Sequence, residues 1–167
     1  QQANNMTDAL AALNAAVSAQ LPCADELLGQ WDERWHQDGL VMDKLFVLQA
    51  TSPAADVLAR VEGLLNHRSF TMTNPNRVRS LIGAFASANP AAFHATDGSG
   101  YRFLTRMLKD LNKRNPQIAA RLIEPLIRLK RYDSQRQQLM REALEELKGL
   151  DNLSRDLYEK ITKALAA

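Results

Sequence analysis

Apolar residues recur every three or four positions along almost the whole chain, and this spacing places them on one face of an α-helix. The strict apolar–polar alternation that marks a half-buried β-strand is absent from the sequence. The pattern therefore predicts an all-α protein of about nine helices, each needing a partner to cover its apolar face. The main apolar runs are Met6, Leu10, Leu13 and Val17; Leu27, Leu28, Trp31 and Trp35; Val57, Leu58, Val61, Leu64 and Leu65; Val78, Leu81, Ile82 and Phe85; Leu104, Met107, Leu108 and Leu111; Leu139, Met140, Ala143, Leu144 and Leu147; and Leu157, Ile161 and Leu165.

Helix boundaries are marked by capping residues. A side-chain oxygen of Asn or Ser accepts from the free N–H groups of the first turn, and a following Pro already has a helical φ. Gly39 and Gly149 predict left-handed caps at the ends of two helices. The predicted helix starts are Ser52-Pro53, Asn74-Pro75, Asn89-Pro90 and Asn115-Pro116.

The connections between the predicted helices are short, which favours antiparallel packing of neighbours. The sequence has no fixed repeat period, and no linker rich in Gly, Ser or Pro divides it. We therefore expect one domain over residues 1–167, folded as an irregular helical-repeat superhelix of antiparallel helix pairs, similar to HEAT and ARM repeats.

One predicted helix, from Pro116 to about Tyr132, is apolar around nearly its whole circumference and should be largely buried. Pro125 lies inside it and should kink it by clashing with the carbonyl of Arg121. Two interpretations of its polar residues follow: internal ion pairs between Glu124 and the arginines, or a surface that binds a ligand. These polar residues form a narrow stripe at helical spacing, made of Gln117, Arg121, Glu124 and Arg128.

Arg79 flanks the apolar face of the helix that starts at Asn74-Pro75, and Gly83 and Ala86 leave room around its guanidinium group. Arginine holds a carboxylate through two parallel hydrogen bonds. Arg79 and Arg121 would therefore recognise the carbonyls or the carboxylate of a peptide if both face one cavity. Ordinary solvent exposure is the alternative for both side chains.

The residues typical of catalysis and metal binding do not occur in recognisable arrangements. Cys23 is the single cysteine, which excludes an intrachain disulfide and a multi-thiolate zinc site. His36, His67 and His94 lie in separate segments, outside the H-E-x-x-H arrangement. A phosphate-binding loop and a nucleophile elbow are also absent. We expect no catalytic residue, metal site or cofactor in this chain.

Charge and hydropathy favour neither nucleic acid nor membrane as a partner. The chain has 21 Lys and Arg against 19 Asp and Glu, a net charge of +2. The basic stretch around Tyr132, made of Arg128, Lys130, Arg131 and Arg136, has the ingredients of an RNA site, but nearby carboxylates dilute it. There is no long apolar run or secretion signal. With one cysteine, this predicts a cytoplasmic protein.

The sequence closely resembles the C-terminal domain of the bacterial aminopeptidase N family over essentially its whole length. The start of the chain, Gln1, is not a methionine, which agrees with a fragment of a larger protein. The matching segments are 3–13, 74–85 with its Asn-Arg-Val-Arg motif, 89–101, 115–133 with its Gln-Ile-Ala-Ala-Arg motif, and 150–161.

The resemblance implies a zinc metallopeptidase that removes N-terminal residues from peptides, with this chain as its last domain. In that family the zinc ligands H-E-x-x-H and the loop G-x-M-E-N lie in another domain, and neither pattern occurs here. The C-terminal domain caps the catalytic domain and encloses a chamber for short or unfolded peptides. The family's chamber-facing residues correspond to Arg79, Gln117 and Arg121, which are thus implied to contact substrate.

Three functions compete at this point. The first is a non-catalytic domain of a zinc aminopeptidase, whose partners are the other domains of the parent chain and its peptide substrates. The second is an independent helical-repeat module that binds proteins on its concave side. The third, an enzyme in its own right, ranks last because no nucleophile and base are recognisably arranged. An isolated domain should also expose its normal interface and self-associate.

Overall fold

The computed structural model describes residues 6–167, which form helices and contain no β-strand. The prediction of an all-α fold is confirmed. The α-helices are α1 (Met6–Ser18), α2 (Ala24–Trp35), α3 (Gly39–Ala50), α4 (Val57–Leu64), α5 (Pro75–Val78), α6 (Ala84–Ala88), α7 (Pro90–Phe93), α8 (Ser99–Arg114), α9 (Pro116–Leu122), α10 (Glu124–Ile127), α11 (Ser134–Lys148) and α12 (Arg155–Ala166). A π-helical turn joins α5 to α6 (Arg79–Gly83), and a 3₁₀ turn follows α10 (Leu129–Arg131).

The N-terminal region consists of α1 to α4, in which each helix packs against the next one along the chain. Leu13 and Val61, which belong to predicted apolar faces, are buried here together with Met42 and Phe46 of α3. Helix α3 also packs against the π-helical turn, so it connects this region to the rest of the molecule.

The C-terminal region is organised around α8, which packs against both α9 and α11, while α12 packs against α9 and α11. Phe85 meets Phe93 and Phe103 edge to face, with ring centroids 6.3 and 5.5 Å apart. All three rings are fully buried, and this geometry is the favoured arrangement of aromatic pairs. They fix α6 and α7 on α8.

The capping prediction is confirmed at three of its four sites. Asn74, Asn89 and Asn115 each accept a backbone N–H in the first turn of the helix that follows. Ser52-Pro53 does not start a helix, because Ser52 Oγ accepts from the backbone N–H of Ala54 at 3.2 Å in a turn. Serine stabilises such turns as readily as helix starts, and α4 begins only at Val57.

The prediction of left-handed caps at Gly39 and Gly149 is wrong. Gly39 is the first residue of α3, because Asp38 Oδ1 accepts from the N–H groups of Leu40 and Val41 at 3.1 and 3.2 Å and starts the helix there. Gly149 has φ −76°. Within residues 6–167 the left-handed glycine is Gly98, with φ 75°, immediately before α8.

The long helix predicted from Pro116 to Tyr132 is interrupted. It consists of α9, α10 and the 3₁₀ turn, with the break at Ile123, two residues before Pro125. Its apolar side chains are buried as predicted, including Ala119 and Leu126. The polar stripe instead lies at the surface.

Candidate functional site

A cleft of about 580 Å³ opens between two walls, one formed by α5 to α7 with the π-helical turn and the other by α9, α10 and the 3₁₀ turn. Arginines line both walls, and the single carboxylate among the lining residues is Glu124. We call this cavity the arginine cleft. It is lined by Pro75, Arg79, Gly83, Ala84, Ala86, Ser87, Ala88, Pro90, His94, Ile118, Arg121, Leu122, Glu124, Pro125, Arg128, Arg131 and Tyr132.

The first wall is positioned by the cap of α5 and by the π-helical turn. Asn74 Oδ1 accepts from the N–H of Asn76 at 3.0 Å, which fixes the start of the helix. Arg79 is the first residue of the π-helical turn and is exposed. A Cβ atom at Gly83 would lie 3.2 Å from Leu122 Cδ2 and 3.6 Å from Arg79 Cγ. Glycine therefore lets the two walls meet beside Arg79, and π-helical turns of this kind often occur at functional sites.

The second wall is shaped by Pro125. Proline has no N–H to donate to the carbonyl of Arg121, so α9 ends at Leu122 with Arg121 in its last turn. The carbonyl of Ile123 then accepts from Leu126 N at 2.8 Å and starts the short helix α10. The break redirects the chain, so that residues on both sides of Pro125 line the same cleft.

Glu124 pairs with a lysine from a different helix. Lys160 Nζ, on α12, lies 2.8 Å from Glu124 Oε1 and also donates to the carbonyl of Ala120 at 2.6 Å. Neither Arg121 nor Arg128 is joined to Glu124 by a salt bridge, although all three lie in the described range 6–167. The interpretation of the stripe as internal ion pairs is therefore wrong.

The four arginines of the cleft have no intramolecular partner. Within the part of the chain that the structure describes, the guanidinium groups of Arg79, Arg121, Arg128 and Arg131 make no hydrogen bond or ion pair. Several arginines elsewhere pair with carboxylates, as Arg77 does with Asp43 at 2.6 Å. A concave surface lined by several cations has a strongly positive potential. Such a surface suits an anion or a set of carbonyl oxygens as its ligand.

One end of the cleft is built from rings that hold each other in place. The ring of Tyr132 stacks on His94 with centroids 4.0 Å apart and planes 25° apart. His94 Nδ1 and Tyr101 Oη share a hydrogen bond of 2.6 Å. Burial, and then the cation of Arg136, lower the pKa of His94, while burial raises the pKa of Tyr101 to about 12. The side chains of His94 and Tyr101 are therefore uncharged at neutral pH, and the arginines carry the positive charge of the cleft.

The structure brings together two of the three residues predicted to contact substrate. Arg79 and Arg121 lie 42 positions apart in sequence and line the same cleft. Gln117 is exposed in the first turn of α9 but is not among the lining residues. His94, the residue that follows α7, also lines the cleft, and this was not recognised from the sequence. Only its stacking on Tyr132 reveals it.

The described residues offer no place for a metal ion. Across residues 6–167 there is no group of three or more His, Cys, Asp or Glu side chains that could hold one. His67 Nε2 contacts Asp32 Oδ1 at 2.6 Å, and His36 faces backbone carbonyls. Both histidines therefore have partners within the chain and belong to no such group. In the same range no helix is both long and apolar enough to cross a bilayer.

Comparison with known proteins finds aminopeptidases that contain a segment similar to this chain. Residues 1–166 match the family model described as "Domain of unknown function (DUF3458_C) ARM repeats", which agrees with the predicted helical-repeat architecture. Aminopeptidase N of Escherichia coli strain K12 is 76% identical over 165 residues, and that of Haemophilus influenzae is 60% identical over 163 residues. The alignments cover 99% and 98% of this chain.

A solved structure shows the same fold. The crystal structure of Legionella pneumophila aminopeptidase A in complex with aspartic acid superposes with a TM-score of 0.90 at 33% identity, and it covers 98% of this chain. The chain spans only 19% of that structure and 19% of each of the two aminopeptidase N relatives. It thus corresponds to one part of larger proteins.

Proposed function

The chain belongs to the DUF3458_C family of ARM-repeat domains and corresponds to the C-terminal domain of aminopeptidase N. From this premise we propose that it forms one wall of the peptide chamber of a zinc aminopeptidase. The zinc and the group that binds the substrate's free amino terminus would belong to the rest of the parent chain. This domain would supply a closing wall and contacts to the downstream part of the peptide.

The observation that carries the proposal is the set of unpaired guanidinium groups in one concave surface. Arg79 and Arg121 come from opposite walls of the arginine cleft, so a peptide lying between them would receive charge-assisted hydrogen bonds on both sides. Gln117 lies one turn before Arg121 on α9 and would extend this surface beyond the cleft. Because peptide backbones present carbonyl oxygens at regular intervals, such donors orient a chain without reading its side chains.

The N-terminal region supplies the complementary face, which the rest of the parent would cover. A shallow apolar hollow of about 370 Å³ lies between α1 and α3, and its lining includes Leu10, Val47 and Leu48. The side chain of Leu40, at the start of α3, is 75% exposed. The relatives have about four fifths of their length outside this segment, and large apolar surfaces of one domain are ordinarily covered by another.

The test is peptide kinetics in the complete enzyme with Arg121→Ala and, separately, Arg79→Ala. Each change should lower kcat/KM for peptides of three or more residues by about tenfold, because one charge-assisted hydrogen bond stabilises the bound peptide by about 1 to 3 kcal/mol. Hydrolysis of an amino-acid anilide, which has no downstream residues, should change little.

Arg155→Ala is the matched control, because the side chain of Arg155 is 92% exposed and pairs with Glu159 away from the cleft. The control should leave every substrate unaffected. Unchanged kinetics of both cleft variants at all peptide lengths would refute the substrate contacts.

The competing function, an independent interaction module, makes a different prediction for the separated parts. If the chain is a required wall, the remainder of the aminopeptidase produced alone should hydrolyse peptides only after this chain is added. If the chain is an independent module, the remainder should be fully active by itself.

A further inference from the structure

We propose that Arg128 and Arg131 form a carboxylate-binding end of the arginine cleft, which holds the free C-terminal carboxylate of a short peptide. The inference rests on the proposed function, because it assumes that the cleft faces the peptide chamber. It goes beyond that function by naming a substrate class, namely short peptides with a free C-terminus, and by assigning two residues that the family resemblance did not supply.

The backbone places Arg128 and Arg131 one 3₁₀ turn apart. Arg131 is the last residue of the 3₁₀ turn, and its N–H donates to the carbonyl of Arg128 at 3.2 Å. Side chains three positions apart in a 3₁₀ turn eclipse one another. Both arginines line the cleft, whereas Lys130, between them in sequence, does not. The turn therefore directs two cations into the cleft and the intervening one away from it.

No carboxylate of the described chain neutralises this pair. Glu124, four positions before Arg128, is held by Lys160 at 2.8 Å. Asp133 is held by Arg136, whose Nη1 lies 2.7 Å from Asp133 Oδ1. Like charges that share a concave surface repel one another, and an external anion relieves that repulsion. A carboxylate matches the paired N–H donors of a guanidinium group in shape as well as in charge.

The segment that carries the two arginines is held in place before any ligand arrives. Tyr132, which follows Arg131, stacks on His94, and its carbonyl accepts from Gln137 Nε2 at 2.6 Å. Arg136 Nε donates to the carbonyl of His94 at 2.7 Å. A site whose backbone is already ordered loses little conformational entropy when it binds.

The same contacts disfavour nucleic acid as the ligand. Base stacking needs a free aromatic face and a groove that follows the phosphate backbone. One face of Tyr132 is covered by His94, and the guanidinium group of Arg136 is already engaged by Asp133 and a backbone carbonyl. What remains is a cleft of about 580 Å³, a size typical of sites for small ligands.

The test compares free-acid and amidated peptides in the complete, zinc-loaded enzyme. We would measure kcat/KM for a series of uncharged peptides of two to six residues, each with a C-terminal carboxylate and with a C-terminal amide. The enzyme should prefer the acid at one or two lengths by about tenfold or more, as expected for a charge-assisted pair of hydrogen bonds. The double change Arg128→Gln with Arg131→Gln should abolish this preference by lowering only the value for the acid.

Lys130→Gln is the matched control, since it removes one positive charge from the same turn at a position outside the cleft. It should retain the wild-type preference for the acid. Thermal unfolding of each variant would show that the fold is intact. Acid and amide hydrolysed equally by the wild-type enzyme at every length would overturn the proposal, and so would equal losses for both in the double variant.

The outcomes also separate this inference from the proposed function. If Arg121→Ala impairs all longer peptides while the acid preference is absent, the chamber wall stands and the carboxylate site is wrong. If no cleft variant affects any peptide, both are wrong. Inhibition of the wild-type enzyme by a short RNA, lost in the double variant and without any acid preference, would assign the two arginines to nucleic acid and overturn the carboxylate site.

Discussion

Two arginines of one motif, Arg77 and Arg79, lie two positions apart and have opposite surroundings. Arg77 faces the N-terminal region, where its guanidinium group pairs with Asp43 and the two side chains are only 15% and 19% exposed. Arg79 faces the arginine cleft and has no partner within residues 6–167. The half-turn between them separates a surface where the arginine is paired from the arginine cleft, where it has no partner within residues 6–167.

The paired region continues along α2 and the loop after α4. Asp32 accepts from His67 at 2.6 Å and from Arg68 at 2.7 Å, and Arg60 pairs with Asp25. Such pairs fix the positions of neighbouring helices. In the cleft, repulsion among the unpaired cations slightly opposes folding. The same cations remain available to bind a ligand. The difference teaches that pairing, rather than the number of arginines, distinguishes the two surfaces.

The largest expected effect is on folding stability at Arg77. Arg77→Ala removes the partner of Asp43 and leaves a partly buried carboxylate without its hydrogen bond, so the free energy of unfolding of this chain should fall by about 2 kcal/mol. Arg79→Ala is the matched change in the cleft and should cost no more than about 0.5 kcal/mol. Urea unfolding of both variants measures the two values. Equal losses would mean that the division into paired and free charge is wrong.

The second effect is a pH dependence at His94, a buried residue of the cleft that faces the cation of Arg136. Its pKa is lowered from the ordinary value of 6.5, so the unfolded chain takes up a proton at a higher pH than the folded chain does. The stabilisation that the neutral His94 side chain provides is therefore complete above pH 6.5, and it is lost as the pH falls below 6.5.

His94→Gln keeps a hydrogen-bonding group beside Tyr101 and removes the titration. The free energy of unfolding of the wild-type chain should fall more steeply between about pH 7.5 and pH 5.5 than that of this variant. Denaturant titrations at both pH values would measure the difference. Parallel pH profiles would show that His94 accepts a proton in the folded state without cost.

The smallest effect is expected from Arg128→Gln with Arg131→Gln. Because these groups have no intramolecular partner, their loss should change the free energy of unfolding by less than about 0.5 kcal/mol. The change should be towards higher stability at low salt, where repulsion is least screened. Thermal unfolding at low and high salt would measure it. A clear destabilisation would show that the two arginines stabilise the cleft in the absence of a ligand.

Much of the fold follows from short stretches of sequence. The apolar spacing gives the helices, and Asn74, Asn89 and Asn115 mark three of their starts correctly. The predictions fail where two local preferences compete. At Gly39 the side chain of Asp38 starts a helix where a left-handed cap would have ended one.

The candidate site was predictable only in part. Arg79 and Arg121 were singled out from their neighbours in sequence, and both line the cleft. Gln117 shares a helical stripe with Arg121 but does not line it, because the spacing of a stripe does not specify where the facing wall ends. Whether any of the three contacts substrate stays a prediction.

The sequence by itself determined the features that depend on residues up to four positions apart, such as the helical faces, the asparagine caps and the break that Pro125 imposes after Leu122. Only the tertiary structure decided which charges are neutralised. Lys160 reaches Glu124 from 36 positions away, and that contact leaves the cleft arginines without an internal partner. Pairing over such distances depends on how the helices pack, because Coulomb attraction and hydrogen bonds act over a few ångströms in space regardless of separation along the chain.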